Sequence, residues 1–99
     1  MNWQDPAAQA LVTAFQHIRS YEDTRRFLAD LCTEGEIELL AKRLQAADML
    51  NESIPYTLIQ RETGLSSATV AKVAKAMTQG EGGLVSALLR IAPLPPRRG

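Results

Sequence analysis

The sequence predicts an all-α protein that carries a helix-turn-helix, and three observations lead there. Apolar residues recur at three- and four-residue steps along most of the chain, with no strand-type alternation and no internal repeat. Residues that favour helix starts, Ser20, Thr33 and Ser66, stand directly before such runs. The stretch Tyr56 to Met77, YTLIQRETGLSSATVAKVAKAM, reads as a helix, a sharp turn at Gly64 and a second helix.

The elements follow in order. Pro6 to about Arg19 is a helix: Asp5 is placed to cap it, Pro6 suits its first position, and Leu11, Phe15 and Ile18, with Val12 beside them, share a face. A second helix runs from Tyr21 or Glu22 to Leu31, with Ser20 and Asp23 in capping-box-like spacing and an apolar face of Phe27, Leu28 and Leu31. Thr33 and Glu36 form a T-x-x-E capping box for a third helix, about Glu34 to Leu50, whose face is Ile37, Leu40, Ala41, Leu44, Ala47 and Leu50. Asn51 to Pro55 is a loop, because the proline ring drives Ile54 out of helical geometry. The first helix of the module spans Tyr56 or Thr57 to about Thr63, Gly64 supplies the turn, and Ser66 caps a second helix of about Ser67 to Thr78. Gly80, Gly82 and Gly83 end it, and Leu84 to Ile91 forms a last short helix packing Leu84, Leu88 and Ile91. The tail PLPPRRG, Pro93 to Gly99, is too proline-rich and polar to pack and reads as disordered. The expected organisation is one helical domain over 1–92, comprising core and dimerisation helices in 1–52, the helix-turn-helix in 55–79 and the C-terminal helix in 84–91, followed by the tail 93–99.

A chain of 99 residues supports one modest core. No apolar run approaches the roughly 20 residues that span a bilayer, and the start MNWQDP lacks the basic-then-apolar pattern of a secretory signal. The single cysteine, Cys32, fits a reducing, cytoplasmic setting. Net charge is zero, but it is unevenly placed: residues 1–52 hold five bases against nine acids, a net −4, and residues 53–99 hold six bases against two acids, a net +4. The positive half contains the helix-turn-helix, so the field has the sign that double-stranded DNA requires.

Within the module, Leu58, Ile59, Leu65, Val70 and Val73 sit where two crossed helices touch. Ser67, Ala68 and Thr69 are small and let the second helix approach the groove floor, where hydroxyls can meet base edges or phosphates and the methyls of Ala68 and Thr69 a thymine methyl. Ser66 precedes them at the cap. Lys72 suits a guanine or phosphate contact, Lys75 a phosphate, and Thr57, Gln60 and Arg61 on the first helix can hold the backbone. No Arg, Asn or Gln stands on the early outward face, so part of any specificity falls to DNA shape or bridging water.

Other residues have plainer readings. Cys32 beside Leu31 is a small core residue, His17 has no second His or Cys for a metal site, and Glu34, Glu36 and Glu38 complement a helix start. There is no nucleophile–base arrangement and no phosphate-binding glycine loop, so neither an enzyme nor a cofactor is expected.

Two runs carry a resemblance. LADLCTEGEIELLAKRLQAADMLNES contains Cys32-Thr33-Glu34-Gly35-Glu36 leading to Arg43, and the second run is Gly64-Leu65-Ser66-Ser67-Ala68-Thr69-Val70-Ala71-Lys72. Together with the glycine-rich stop, over about Arg26 to Gly83, the chain resembles the tryptophan repressor (TrpR) superfamily, closest to its small YerC/YecD-like branch. The resemblance implies an intertwined homodimer presenting two helix-turn-helix heads to successive major grooves. It also implies a ligand site: Arg43 matches one of the two arginines that enclose tryptophan in the repressor proper, and Thr33 matches a backbone contact to the ligand amine. Lys72 stands in place of the second arginine and cannot stack flat on an indole, and Val73 replaces a glycine and projects a side chain into that space. Arg43 is then left to pair with an acid such as Glu36 or Glu38, or to contact DNA phosphate.

The sequence therefore predicts a homodimeric, sequence-specific DNA-binding regulator, a repressor by type, not gated by tryptophan. Two alternatives stand beside it: a helical protein-interaction module, and a regulator gated by an unknown small effector bound around Thr33, Arg43 and Lys72.

Overall fold

The computed structural model describes residues 1–91; the tail 93–99 lies outside them. Six helices follow one another: α1 (Pro6–His17), α2 (Tyr21–Leu31), α3 (Glu34–Asn51), α4 (Tyr56–Thr63), α5 (Ser67–Gln79) and α6 (Gly83–Ile91). No strand occurs among the described residues. The chain divides into two compact units, Met1–Ile37 and the part from Glu38 onward.

Local chemistry sets most helix boundaries. At α2, Ser20 Oγ accepts from the Asp23 N–H at 3.0 Å. At α3 the capping box closes in both directions: Thr33 Oγ1 accepts from the Glu36 N–H at 3.1 Å, and the Glu36 carboxylate accepts from the Thr33 N–H at 2.8 Å. At α1 the expectation fails in part: Asp5 occupies the cap position, but its side chain makes no capping hydrogen bond. Pro6 at the first position brings no N–H that needs an acceptor. Helix α1 ends at His17 instead of Arg19, with the His17 ring N–H bonded to the Thr13 carbonyl at 2.9 Å.

The loop after α3 is a Schellman turn. Ser53 takes φ 60°, its N–H bonds to Leu50 O at 3.0 Å, and the Ile54 N–H bonds to Met49 O at 3.0 Å. Ile54 packs against the core that contains Met49. The motif turns the chain sharply into Pro55, where α4 begins.

The core lies in the part from Glu38 onward. Ala46, Ala47 and Met49 of α3 meet Ile59 of α4, Leu65 of the turn, Val70 and Val73 of α5, and Leu88 of α6. Met49, Ile59 and Val70 are fully buried. Two expectations need correcting. The buried face of α3 is Ala46, Ala47 and Met49 flanked by Leu44 and Leu50, while Leu40 is half exposed and Ala41 exposed. Burial on α3 thus follows its C-terminal half, the part that meets α4, α5 and α6. Ile91 does not pack: as the last residue of α6 it remains exposed, and Leu84 and Leu88 make the contact.

In Met1–Ile37, Ala8 is the one buried residue. Phe15 and Phe27 meet edge to face, with centroids 5.3 Å apart and planes at 85°. Leu11, Val12, Phe15 and Leu31 share apolar faces as the periodicity predicts, yet each is exposed. Cys32 is half-buried at the end of α2. Glu22 pairs with Arg25, whose guanidinium holds the carboxyl below its ordinary range, and both side chains are in solvent, where such a pair contributes little.

Candidate nucleic-acid interface

The helix-turn-helix is built from α4, a three-residue turn at 64–66, and α5. Gly64 adopts φ 77° and ψ 4°, the left-handed conformation in which a Cβ is strained, and its N–H bonds to Gln60 O at 2.8 Å. The next residue, Leu65, drops into the core. Ser66 caps α5, its Oγ accepting from the Thr69 N–H at 3.2 Å.

The last residue of α4 carries no signal in the sequence beyond marking a helix end. Thr63 is buried, and its hydroxyl donates to Ile59 O at 2.7 Å and accepts from the Leu65 N–H at 3.2 Å. It thereby satisfies a backbone donor that the turn withdraws from water. A threonine in the last helical position before a glycine is the available sequence signal, and it is a weak one.

On α5, Ser67, Ala68, Lys72 and Lys75 are exposed, as is Ala71, which the sequence reading passed over. Ala71 is three residues after Ala68 and four before Lys75, so helical spacing could have found it. Thr69 is half-buried, and its hydroxyl accepts from Ser66 Oγ at 3.0 Å. Ser66 and Thr69 are thus engaged with each other at the helix start. On α4, Thr57 and Arg61 are exposed and Gln60 is half-buried. Helix α5 ends at Gly80, where a Cβ would lie 2.3 Å from the Ala76 carbonyl oxygen, so any larger residue would have to shift the backbone.

Beside the helix-turn-helix lies a cavity of about 390 Å³. Its walls are Leu40 and Leu44 of α3, Val73 and Ala76 of α5 and Leu84 of α6, and it also takes in Arg43 and Lys72. The structure thus brings Arg43 and Lys72 to one apolar hollow. Thr33 is not among the lining residues, and its hydroxyl and N–H are committed to the capping box. Among the described residues no group of three or more His, Cys, Asp or Glu could hold a metal ion, and no helix is long and apolar enough to cross a membrane.

Six helices among the described residues, with a core that supports a helix-turn-helix and with small residues and lysines on the outer face of its second helix, define a protein of the helix-turn-helix class. Comparison with known proteins narrows the class. Residues 7–92 match the Trp repressor protein family. The chain is 38% identical over 81 residues to the uncharacterized protein YerC of Bacillus subtilis (strain 168), covering 82% of this chain and 78% of that one. Among solved structures it is similar to a TrpR-like protein from Eubacterium eligens ATCC 27750, with TM-score 0.84, 29% identity and 95% and 97% of the two chains covered. It is also similar to a candidate Trp repressor from Staphylococcus aureus, with TM-score 0.81, 31% identity and 91% and 93% covered. The chain belongs to the Trp repressor protein family, in its YerC-like branch. By family it is a helical regulator of the DNA-binding type.

Proposed function

We propose that the protein is a homodimeric, sequence-specific transcription regulator, acting as a repressor by occupying its operator. The observation that carries this reading is the formed helix-turn-helix whose second helix turns Ser67, Ala68, Lys72 and Lys75 outward. Helix α5 enters the major groove, and Lys72 and Lys75 meet a guanine edge or phosphates. Thr57, Gln60 and Arg61 hold the backbone, and Ser66 and Thr69 approach phosphate from the helix N-terminus. Dimerisation is supported by the residues 1–37, whose apolar side chains Trp3, Leu11, Phe15 and Leu31 are 43–54% exposed with Ala8 alone buried. A second copy covering them places two heads on a palindrome with half-sites about one helical turn apart.

Selection of bound genomic fragments, at low and near-physiological salt, tests the reading. A palindrome that survives the higher salt is the expected result; no enrichment at either salt removes the reading in favour of a protein-interaction module. Lys72→Ala should weaken binding and lower the salt slope by about one while the melting temperature holds.

A second reading is favoured by the cavity. Two cations over apolar walls, with no carboxylate in the lining, suit an organic anion with an apolar body, not a zwitterion whose ammonium needs an acceptor. The lysine and the valine side chain at 72 and 73 disfavour tryptophan itself. Thermal shifts with aromatic and aliphatic carboxylates, with tryptophan beside them, would separate a gated regulator from an ungated one.

A further inference from the structure

We propose that α5 recognises thymine by its 5-methyl group, through the exposed methyls of Ala68 and Ala71, an inference that rests on the DNA-binding reading above. Thr69, whose methyl the sequence offers for this contact, is half-buried and tied by two hydrogen bonds to Ser66. What faces outward from 67 to 75 is Ser67, Ala68, Ala71, Lys72 and Lys75. That stretch contains no Arg, Asn or Gln, so the bidentate pairs those side chains make with guanine and adenine are absent from it, and any guanine contact falls to the two lysines.

The two alanine methyls are three residues apart and lie on one strip of the helix, with Cβ atoms about 5–6 Å from each other. Successive bases rise about 3.4 Å along a strand, so the strip spans neighbouring base pairs. Lys72 and Lys75 each follow one of these alanines by four residues. The same strip therefore places an ammonium one turn beyond each methyl, where the flexible side chain can swing to a phosphate. Alanine is also short enough for the helix backbone to lie deep in the groove. In the major groove the thymine methyl is the apolar feature that separates T·A and A·T pairs from G·C and C·G, and its position separates T·A from A·T. An alanine methyl is apolar, compact and without a hydrogen-bonding alternative, so it favours that feature and leaves an unpaired polar group at a cytosine or guanine.

The test is made on the full-length protein. A random duplex pool is enriched by binding at about 0.1 M salt, where the Debye length is about 10 Å. The enriched sequence is then prepared with thymidine and with deoxyuridine, which differ by the methyl alone. Each buried methyl is expected to contribute about fourfold in affinity, so two per head give about fifteenfold per half-site, and two heads on a palindrome on the order of 200-fold between the two DNAs. In the double variant Ala68→Gly, Ala71→Gly the ratio should fall to about one. Glycine also weakens the helix, so the readout is the thymidine/deoxyuridine ratio and not affinity. Ala71→Ser, which keeps the bulk and loses the apolar surface, should reduce the ratio in a folded head. Lys75→Ala should lower affinity for both DNAs and keep the ratio. Equal binding of the two DNAs by the unmodified protein, or a ratio that survives the double variant, overturns the inference and leaves DNA binding standing. No binding to any DNA at low salt overturns both.

Discussion

Met49, Ile59 and Val70 are fully buried in the part of the chain from Glu38 onward, whereas among residues 1–37 only Ala8 is buried. Both parts are rich in apolar residues on amphipathic helices. The difference is in what those faces meet. From Glu38 onward the helices converge through two tight turns, at Ser53 and Gly64, that return apolar faces to one another within one chain. In Met1–Ile37 the amphipathic faces of α1 and α2 touch through Phe15 and Phe27 and otherwise leave Trp3, Leu11, Val12 and Leu31 in solvent. Periodicity thus specifies which residues need cover, while topology decides whether the same chain supplies it. The part from Glu38 onward closes a core of its own while leaving Leu40 and Leu89 in solvent, and the N-terminal helices bury almost nothing within the chain, which on the proposed reading is the face a second copy covers.

The largest effect is expected where that comparison is sharpest. Phe15→Asp places a carboxylate in the face that a second copy would cover, and should cost on the order of 3–5 kcal/mol per protomer through lost burial and charge desolvation. Sedimentation should show a monomer for the variant and, on the proposed reading, a dimer for the unmodified protein. A variant that still sediments as a dimer with an unchanged melting temperature would break the assignment of this face.

Met49→Ala acts on the other side of the comparison. It removes a fully buried side chain from the core of the head, and should cost about 2–5 kcal/mol. Here the expected signature is a lower melting temperature with the dimer retained at concentrations well above its dissociation constant. Loss of the dimer without loss of thermal stability would mean that the two parts do not divide the labour as argued.

Thr63→Val tests the turn that closes the core of the head. Valine keeps the volume but removes the acceptor of the Leu65 N–H, leaving a buried donor unpaired at about 1–3 kcal/mol. Thr63→Ser keeps the hydroxyl and should recover most of that loss. Equal melting temperatures for the valine variant and the unmodified protein would show that water reaches the Leu65 N–H.

Much of this was legible in the residues. The helix-turn-helix was readable because Gly64, Ser66 and the apolar set Ile59, Leu65, Val70 and Val73 each have a local reason to be where they are: a left-handed turn, a cap, a contact. The capping box of Thr33 and Glu36 was legible for the same reason. What failed depended on distant packing. Ala46 and Met49 lie off the apolar stripe read from the heptad-like spacing of α3, and their burial is set by where α4, α5 and α6 return. Ile91 carried the same periodicity as Leu84 and Leu88 but sits at the helix end with nothing above it. In the candidate site, the outward position of Lys72 and Lys75 was legible from spacing. That Ala71 would face out beside Ala68 was open to the same spacing, whereas the bond between Ser66 and Thr69 required the actual path of α5.

The smallest effect concerns what the N-terminal unit holds without help. The Glu36 carboxylate accepts the Thr33 N–H, and this bond, with the Thr33 hydroxyl, holds its pKa below the ordinary glutamate value of 4.5. A carboxyl whose pKa is lower folded than unfolded binds protons more readily in the unfolded chain. Its contribution is therefore fully present above the ordinary value and is lost as pH falls through the depressed one. Glu36→Gln keeps a hydrogen-bonding side chain but no charge, so the melting-temperature gap between the two proteins should be widest near pH 7 and should close under acid. Because the box lies within one chain, the gap should also be the same at low and high protein concentration, unlike the effect of Phe15→Asp. A gap that grows with dilution would mean that α3 depends on the second copy even at its first turn, and the local order of the N-terminal unit would then belong to the dimer too.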